Sequence, residues 1–404
     1  MSPKISICKT RILAFLLMFL TLIMTMSSCD SSSVKMSRNI KKNADGLYEI
    51  YSAEDLVKYR SILEKEMQED YDNTGHSTDG KSGAILMSDI DMSSVCGEKK
   101  GGWRPIGSRC IVDEKYEGEL PYPDGSLYST TFDGNGHTIS HLYVNNDFGG
   151  GLFFSIWETE VRDLTFSDCS ITSKKGQSGT LAAYMIDGLV SNVCVNNTVT
   201  VKSEWSLAGG IVGSAEERNY GAKLENCINS SNVSGKSYVG GIAGSGKERT
   251  DIISCTNYGN ISCDKTDGNW SSVAGGIVGI SMGGSYYKGY IKGCINYGSV
   301  SADFACGIVG YNSSRVCYCV NAGSFDGWDI CSADGVEFSC INVGKVNGTI
   351  TTEWNDHNCS KSANVPLGSP SLTDGTLLKR MNKLAGGKYW TQGEQFPVWS
   401  GLEE

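Results

Sequence analysis

The sequence predicts an all-β fold: a right-handed parallel β-helix with an N-terminal capping helix and a small C-terminal cap. Three observations predict it. A Gly-Gly phrase recurs as AGGIVG at 208–213, VGGIAG at 239–244, AGGIVG at 274–279 and ACGIVG at 305–310, at intervals of 31 to 35 residues. A cysteine phrase recurs with it: CINSSNVS from Cys227, CTNYGNIS from Cys255, CINYGSVS from Cys294, CVNAGSF from Cys319 and CINVGKV from Cys340, with weaker copies from Cys194 and Cys169. Fifty glycines against seven prolines imply many tight bends without proline-rich character. Self-similarity at this period marks a stacked array, in which each unit buries its apolar face only against its neighbours. Missing leucine spacing excludes leucine-rich repeats, glycine density excludes helical repeats, and the units are short for propeller blades. Nine to ten coils at the spacing of parallel strands would stack to about 45 Å.

Along the chain, residues 1–28 read as an export signal. Lys4, Lys9 and Arg11 precede an apolar run from Ile12 to Met26, too short for a membrane span and suited to a secretory signal. It ends in Met26-Ser27-Ser28-Cys29, the pattern of a lipobox whose cysteine, Cys29, is acylated. The alternative is an ordinary signal peptide with an incidental cysteine. Residues 29–45 then form a flexible tether. Loss of the signal takes three basic residues with it, moving the net charge from −10 to −13. So acidic a body disfavours nucleic acid and anionic lipid surfaces as partners. The expected location is the outer membrane, lipid-anchored, at the cell surface.

Residues 46–83 form the N-terminal cap. A strand at 46–51 leads into Ser52-Ala53-Glu54-Asp55, a capping box with Ser52 as N-cap, and Leu56, Tyr59, Ile62, Leu63 and Met67 follow at helical spacing over 53–69. A helix there would cover the strand edges of the first coil. Residues 84–350 alternate short β runs with glycine, asparagine and aspartate, and form the rod. Residues 351–404 leave the pattern: a helix over 376–384, capped by Asp374 or Thr373, precedes an apolar tail of Tyr389-Trp390 and Phe396-Pro397-Val398-Trp399. They are expected as the closing cap.

Fourteen cysteines follow Cys29 in an exported chain, where disulfides are the default. Cys169, Cys194, Cys227, Cys255, Cys294, Cys319 and Cys340 share one repeat position. Stacked side chains about 4.8 Å apart sit wider than a disulfide prefers, so these read as buried free thiols. Among Cys96, Cys110, Cys263, Cys306, Cys317, Cys331 and Cys359, one or two pairs could be bridged.

The Gly-Gly-Ile-Val-Gly phrases with trailing Cys-x-Asn-x-Gly segments resemble the GLUG-motif repeats of bacterial surface lipoproteins and adhesin-like proteins. Ser88-Asp89-Ile90-Asp91-Met92, Trp103-Arg104-Pro105-Ile106-Gly107 and Thr131-Phe132-Asp133-Gly134-Asn135-Gly136-His137-Thr138-Ile139 resemble the lead-in segment that precedes such repeats. The resemblance covers 46–350 and implies a surface-displayed rod. Such repeats also occur in a bacterial immunoglobulin-A protease family, but its His-Glu-x-x-His is absent here, so that activity is not implied.

Chemistry-bearing motifs dissolve into the repeat. Gly279-Ile280-Ser281-Met282-Gly283 matches a nucleophile elbow without the helix that should follow, and Lys247 lies one residue from a P-loop whose Ser/Thr is Glu248. His76, His137, His141 and His357 have no paired ligand spacing, which argues against zinc. Asp89 and Asp91, with Asp133, are read as turn and strand-end hydrogen-bonding groups, with calcium as the alternative. No catalytic residue, metal site or cofactor is assigned. The candidate ligand-binding residues are aromatic: Trp205, Tyr238, Trp270 and Trp328 each precede a Gly-Gly phrase or its degenerate copy. They either form a ladder along one loop edge or fold back over coil corners. The expected function is non-enzymatic adhesion, through binding of glycan or a host or bacterial surface protein. The alternatives are a carbohydrate-active β-helix enzyme (a polysaccharide lyase or glycoside hydrolase), which needs clustered carboxylates with a basic residue, and a purely structural surface spacer.

Overall fold

The computed structural model describes residues 39–74, 79–107, 126–265, 272–283, 289–331, 336–338, 340–342, 344, 363–364, 369–385 and 387–400. Within these, residues 71, 74, 79, 327–331, 336–338, 363–364 and 384–385 are described as backbone only. The first 28 residues and most of the tether, Cys29 included, lie outside them, as do Trp270, His76, His357, Cys110 and Cys359.

The chain winds into a parallel β-helix. Tyr48–Ile50 pairs in parallel with Ala84–Leu86, which pairs with Thr131–Asp133, and the line continues through strands beginning at Glu160, Gly188, Ala222, Thr250, Tyr290, Arg315 and Val336. That wall is ten strands deep. One apolar core runs through the interior from Ile50 to Cys340. Such continuity is what a solenoid requires, since no single coil could bury its own apolar face.

The corners repeat as faithfully as the strands. Asp163, Asn192, Asn226, Ser254 and Tyr318 all take φ between 52° and 55°, and Gly293 takes 63°, each one residue before the same interior position. A left-handed residue there bends the chain, within one strand at Asp163 and Asn192 and between two short strands in the later coils. Asn, Asp and Gly tolerate that region best, which accounts for the polar residues before the cysteines.

The N-terminal helix α1 (Ala53–Thr74) begins as expected and runs five residues past 69. Ser52 Oγ accepts from the Asp55 N–H at 3.2 Å, while Asp55 Oδ2 accepts from the Tyr51 N–H at 3.2 Å. Leu56, Tyr59, Leu63 and Met67 enter the same core as the coils. Arg60 lies 4.4 Å from the Trp103 ring and fixes α1 to the lead-in segment.

The cysteine line needs correction. Cys227, Cys255, Cys294, Cys319 and Cys340 do stack, fully buried, and their Sγ atoms reach carbonyls of the coil before, as Cys294 does to Ile252 at 3.4 Å. The register pairs Cys194 with Ile228, so Val193, and before it Leu164, occupy the line in the two preceding coils. Val193 and Val195 take the interior face and leave Cys194 turned outward and half-buried. Cys169 precedes a different strand, Ser170–Ser173, and sits near Cys96. Among the cysteines whose side chains are described, Cys96, Cys263, Cys306 and Cys317 included, none is joined to another by a disulfide.

A second ladder lies two residues on. Asn229, Asn257, Asn296, Asn321 and Asn342 are buried, and each Nδ2 donates to the next Oδ1 at 2.8 Å. The same amides close their own corners, as Asn296 does by donating to Gly298 O at 3.0 Å and accepting from Gly298 N at 3.1 Å. The amides from Asn229 to Asn321 are thereby satisfied inside the wall.

The tail lies on the side wall. Helix α2 (Thr376–Ala385) starts where Asp374 Oδ1 accepts from the Thr376 N–H at 2.7 Å. It packs with the antiparallel hairpin Trp390–Gln392/Pro397–Trp399 into a second core containing Leu372, Leu377, Met381, Trp390 and Phe396. Val320 and Ile341 belong to this outer core, whereas Cys319 and Cys340 beside them belong to the inner one. Within the segment expected as a closing cap, Ala363–Asn364 adds one further parallel strand to the stack, on Ile341–Asn342.

Candidate ligand-binding site

Two copies of the cysteine phrase carry a tyrosine after the asparagine: Cys255-Thr256-Asn257-Tyr258-Gly259 and Cys294-Ile295-Asn296-Tyr297-Gly298. Because Asn257 pairs with Asn296, Tyr258 and Tyr297 stand one above the other at the corner. Their rings stack with centroids 4.9 Å apart and planes 3° from parallel. Their backbones are held by Tyr258 N donating to Asn229 O and Tyr297 N to Asn257 O, both at 2.7 Å. The amide ladder therefore fixes both rings. They remain 53 % and 37 % exposed, unusual for large apolar rings on a rigid wall.

The hairpin supplies the other side. Asn382 brackets Trp390 with hydrogen bonds of 2.8 and 3.1 Å, and Gln392 Nε2 donates to Leu372 O at 2.8 Å. These contacts set the turn at 393–396, where buried Phe396 approaches Tyr297 to 6.0 Å. Between turn and tyrosines lies a groove of about 340 Å³, lined by Tyr258, Tyr297, Glu394, Gln395, Phe396 and Val398. Burial, then the neighbouring Tyr258 and Glu394, hold the Tyr297 hydroxyl above its ordinary range, so it stays protonated and able to donate. In the coils on either side the equivalent positions are Ser230 and Ala322, so the stack is two rings long.

The expected residues are placed differently. Trp205 is 67 % exposed at a corner between two strands of the other wall, away from the tyrosine corner. Tyr238 begins the strand Tyr238–Gly240, half-buried, and pairs with Val273, which pairs with Phe304. Ala208 pairs with Val239, so Leu207, not Trp205, stands beside Tyr238. Trp328 lies in the strand Phe325–Cys331, its side chain outside the described residues. The tyrosine pair lies in the cysteine phrase, not in the residues before the Gly-Gly phrase from which the aromatic candidates come. Its signal was the duplicated Asn-Tyr-Gly.

The carboxylates considered for calcium are hydrogen-bonded elsewhere. Asp89 accepts from Thr138 N at 2.9 Å and faces His137, and Asp91 accepts from Ser93 N at 2.9 Å and faces His141. Asp133 is held by the Arg162 guanidinium at 2.7 and 3.0 Å. Backbone N–H groups are the main reason that Asp89 and Asp91 titrate below the usual carboxylate range. Among the described residues no group of three His, Cys, Asp or Glu could hold a metal ion. Ser281 is buried within the strand Val278–Met282 and bonded to Ser314 at 2.6 Å, and Lys247 pairs with Glu216 at 3.6 Å. Neither forms the site its motif suggested.

No protein-family model matches this chain, and no curated protein does. Among solved structures, it is similar to a Bacteroides ovatus protein provisionally assigned as an immunoglobulin A1 protease, at 18 % identity and a TM-score of 0.48, over 90 % of this chain and 94 % of that one.

Proposed function

We propose that this is a lipid-anchored, surface-displayed β-helix that binds a ligand on its flank without transforming it. One observation carries the reading: the rigid, exposed Tyr258–Tyr297 stack beside the 393–396 turn. Aromatic faces fixed by a backbone ladder lose no conformational entropy when a partner settles on them. Trp205, widely exposed at a different corner, is a second contact in this reading, with Tyr238, Trp270 and Trp328 as further candidates. The lipobox at Cys29 supplies the anchor, the outer membrane the location, and a glycan or a surface protein of host or bacterium the partner.

Two experiments test it. Acyl labelling of the expressed chain should disappear in Cys29→Ala, and protease added to whole cells should remove the protein. Binding of the purified chain to glycan arrays and to immobilised cell-surface proteins should fall at least tenfold in Tyr258→Ala/Tyr297→Ala, with the melting curve of the rod retained. Unchanged binding in that double variant would end the assignment of the site. Cleavage of any bound glycan by the wild type would replace it with the carbohydrate-active enzyme.

A further inference from the structure

The groove itself narrows the ligand. Asn229 pairs with Asn257, so beneath Tyr258 the preceding coil offers Ser230, a side chain far smaller than a ring. The aromatic stack therefore ends at Tyr258, which is 53 % exposed and has no ring beneath it. A flat ligand can continue the stack on that exposed ring. The negative face of tyrosine attracts the weakly positive C–H face of a pyranose, or a cation. The groove's volume of about 340 Å³ stands at the lower end of the roughly 300–1,000 Å³ usual for small-ligand sites. It is open on one side, which suits a sugar within a chain better than an apolar peptide anchor, which needs enclosure.

The polar rim decides the charge. The carboxylate of Glu394 only accepts hydrogen bonds, while Gln395 can do either. A carboxylate beside two electron-rich faces, on a chain of net charge −10, repels an acid and rewards hydroxyl or ammonium donors.

We propose that the Tyr258–Tyr297 groove takes a neutral or amino-bearing pyranose within a glycan and excludes uronic and sulfated sugars. This rests on the reading of the groove as a binding site given above. The test is calorimetric titration of the full chain, in detergent, with neutral, amino-bearing and uronic hexasaccharides matched in linkage. The neutral and amino-bearing hexamers should bind, the amino-bearing one more tightly, and the uronic one at least tenfold more weakly than either.

Two variants complete the test. Glu394→Gln should weaken the amino-bearing hexamer about tenfold, the worth of one charge-assisted hydrogen bond, and bring it level with the neutral one. Tyr258→Ala should abolish binding of both. A uronic hexamer that binds as well as the others, or an unchanged ranking in Glu394→Gln, would overturn the sugar class. If no hexamer binds while Tyr258→Ala reduces capture of an immobilised cell-surface protein, the glycan fails and the binding site stands. If Tyr258→Ala alters capture of nothing, both fail.

Discussion

The early and late coils of the rod share one backbone register and fill it by different means. In the coil over 177–195 the two interior positions are Val193 and Val195, and large rings such as Phe132, Phe153 and Phe166 fill the coils before it. From Cys227 on, the same two positions hold a thiol and an amide in every coil. The opposite wall changes with them. A Cβ added at Gly210, Gly241 or Gly276 would collide with the carbonyl of the next coil's glycine and with the amide carbon of Asn229, Asn257 or Asn296 in its own coil, and one at Gly307 with that of Asn321. In the earlier coil, where Val195 replaces the asparagine, Thr180 stands in register with Gly210, fully buried. The second glycine of the Gly-Gly phrase therefore makes room both for the backbone of the next coil and for the asparagine. At these two interior positions the early coils rely on packing, whereas the late coils add a hydrogen-bonded line that fixes which residue stacks on which.

Cutting that line should give the largest effect. Asn296→Ala removes four hydrogen bonds, two to Asn257 and Asn321 and two within its own corner. At roughly 1 kcal/mol each the loss is about 4 kcal/mol. Val195→Ala, at the equivalent place in the early coil, should cost about 2 kcal/mol, the transfer of two methyl groups. Urea denaturation of both variants checks the ranking. A sharper version rebuilds the early pair in a late coil: Asn296→Val with Gly276→Thr should be more stable than the sum of the single changes by over about 1 kcal/mol. Additive single effects would separate the glycine from the amide.

The second comparison sets the inner face of the late coils against the outer, where the tail docks. Gly293 has the left-handed φ that Ser254 has one coil earlier, yet a Cβ there would meet the Trp399 indole. Gly293→Val should release the hairpin, costing about 2 kcal/mol more than Ser254→Val, which carries the same backbone strain without the tail. Limited proteolysis should then cut within 369–400 of the first variant and leave the rod intact. Equal resistance in both would show that Trp399 does not depend on the glycine.

Much of this architecture was legible because it repeats. The Gly-Gly and Cys-x-Asn phrases gave the coil period, the interior thiols and the parallel stacking, and Ser52 and Asp374 marked both helix starts. What repeats only approximately misled. Cys194 resembles the other phrases, yet a valine on either side of it outweighs one cysteine in choosing the buried face. The asparagine line was visible as a pattern but not as a ladder, since amide hydrogen bonding between coils follows from register and not from composition. The groove was least legible. It needs Tyr258 and Tyr297 in one place and Glu394 about a hundred residues later, on a tail whose docking depends on Gly293 having no side chain.

The smallest of the three effects at moderate pH concerns thiols that keep their protons. Burial pushes Cys169, in an early coil, up to about 12 from an ordinary 9.0. Burial likewise lifts Cys255 and Cys319, in the late line, well above the thiol range. A thiol that titrates higher when folded binds its proton more tightly in the native state. Stability is therefore full below pH 9 and falls as the pH rises toward 12, because only the unfolded chain ionises. At pH 10 the share of Cys169 is about 1.4 kcal/mol, one unit of ionisation in the unfolded chain alone. Replacing it with Ala should make the decline in denaturation midpoint between pH 8 and 10 shallower, while the neutral-pH midpoint falls only by the lost packing. Cys255→Ala should flatten the same decline and also interrupt the thiol line, so its neutral-pH cost should exceed that of Cys169→Ala. If instead both variants follow the wild-type slope, the thiols are ionising in the folded state, and water reaches an interior that the stacked coils are here held to exclude.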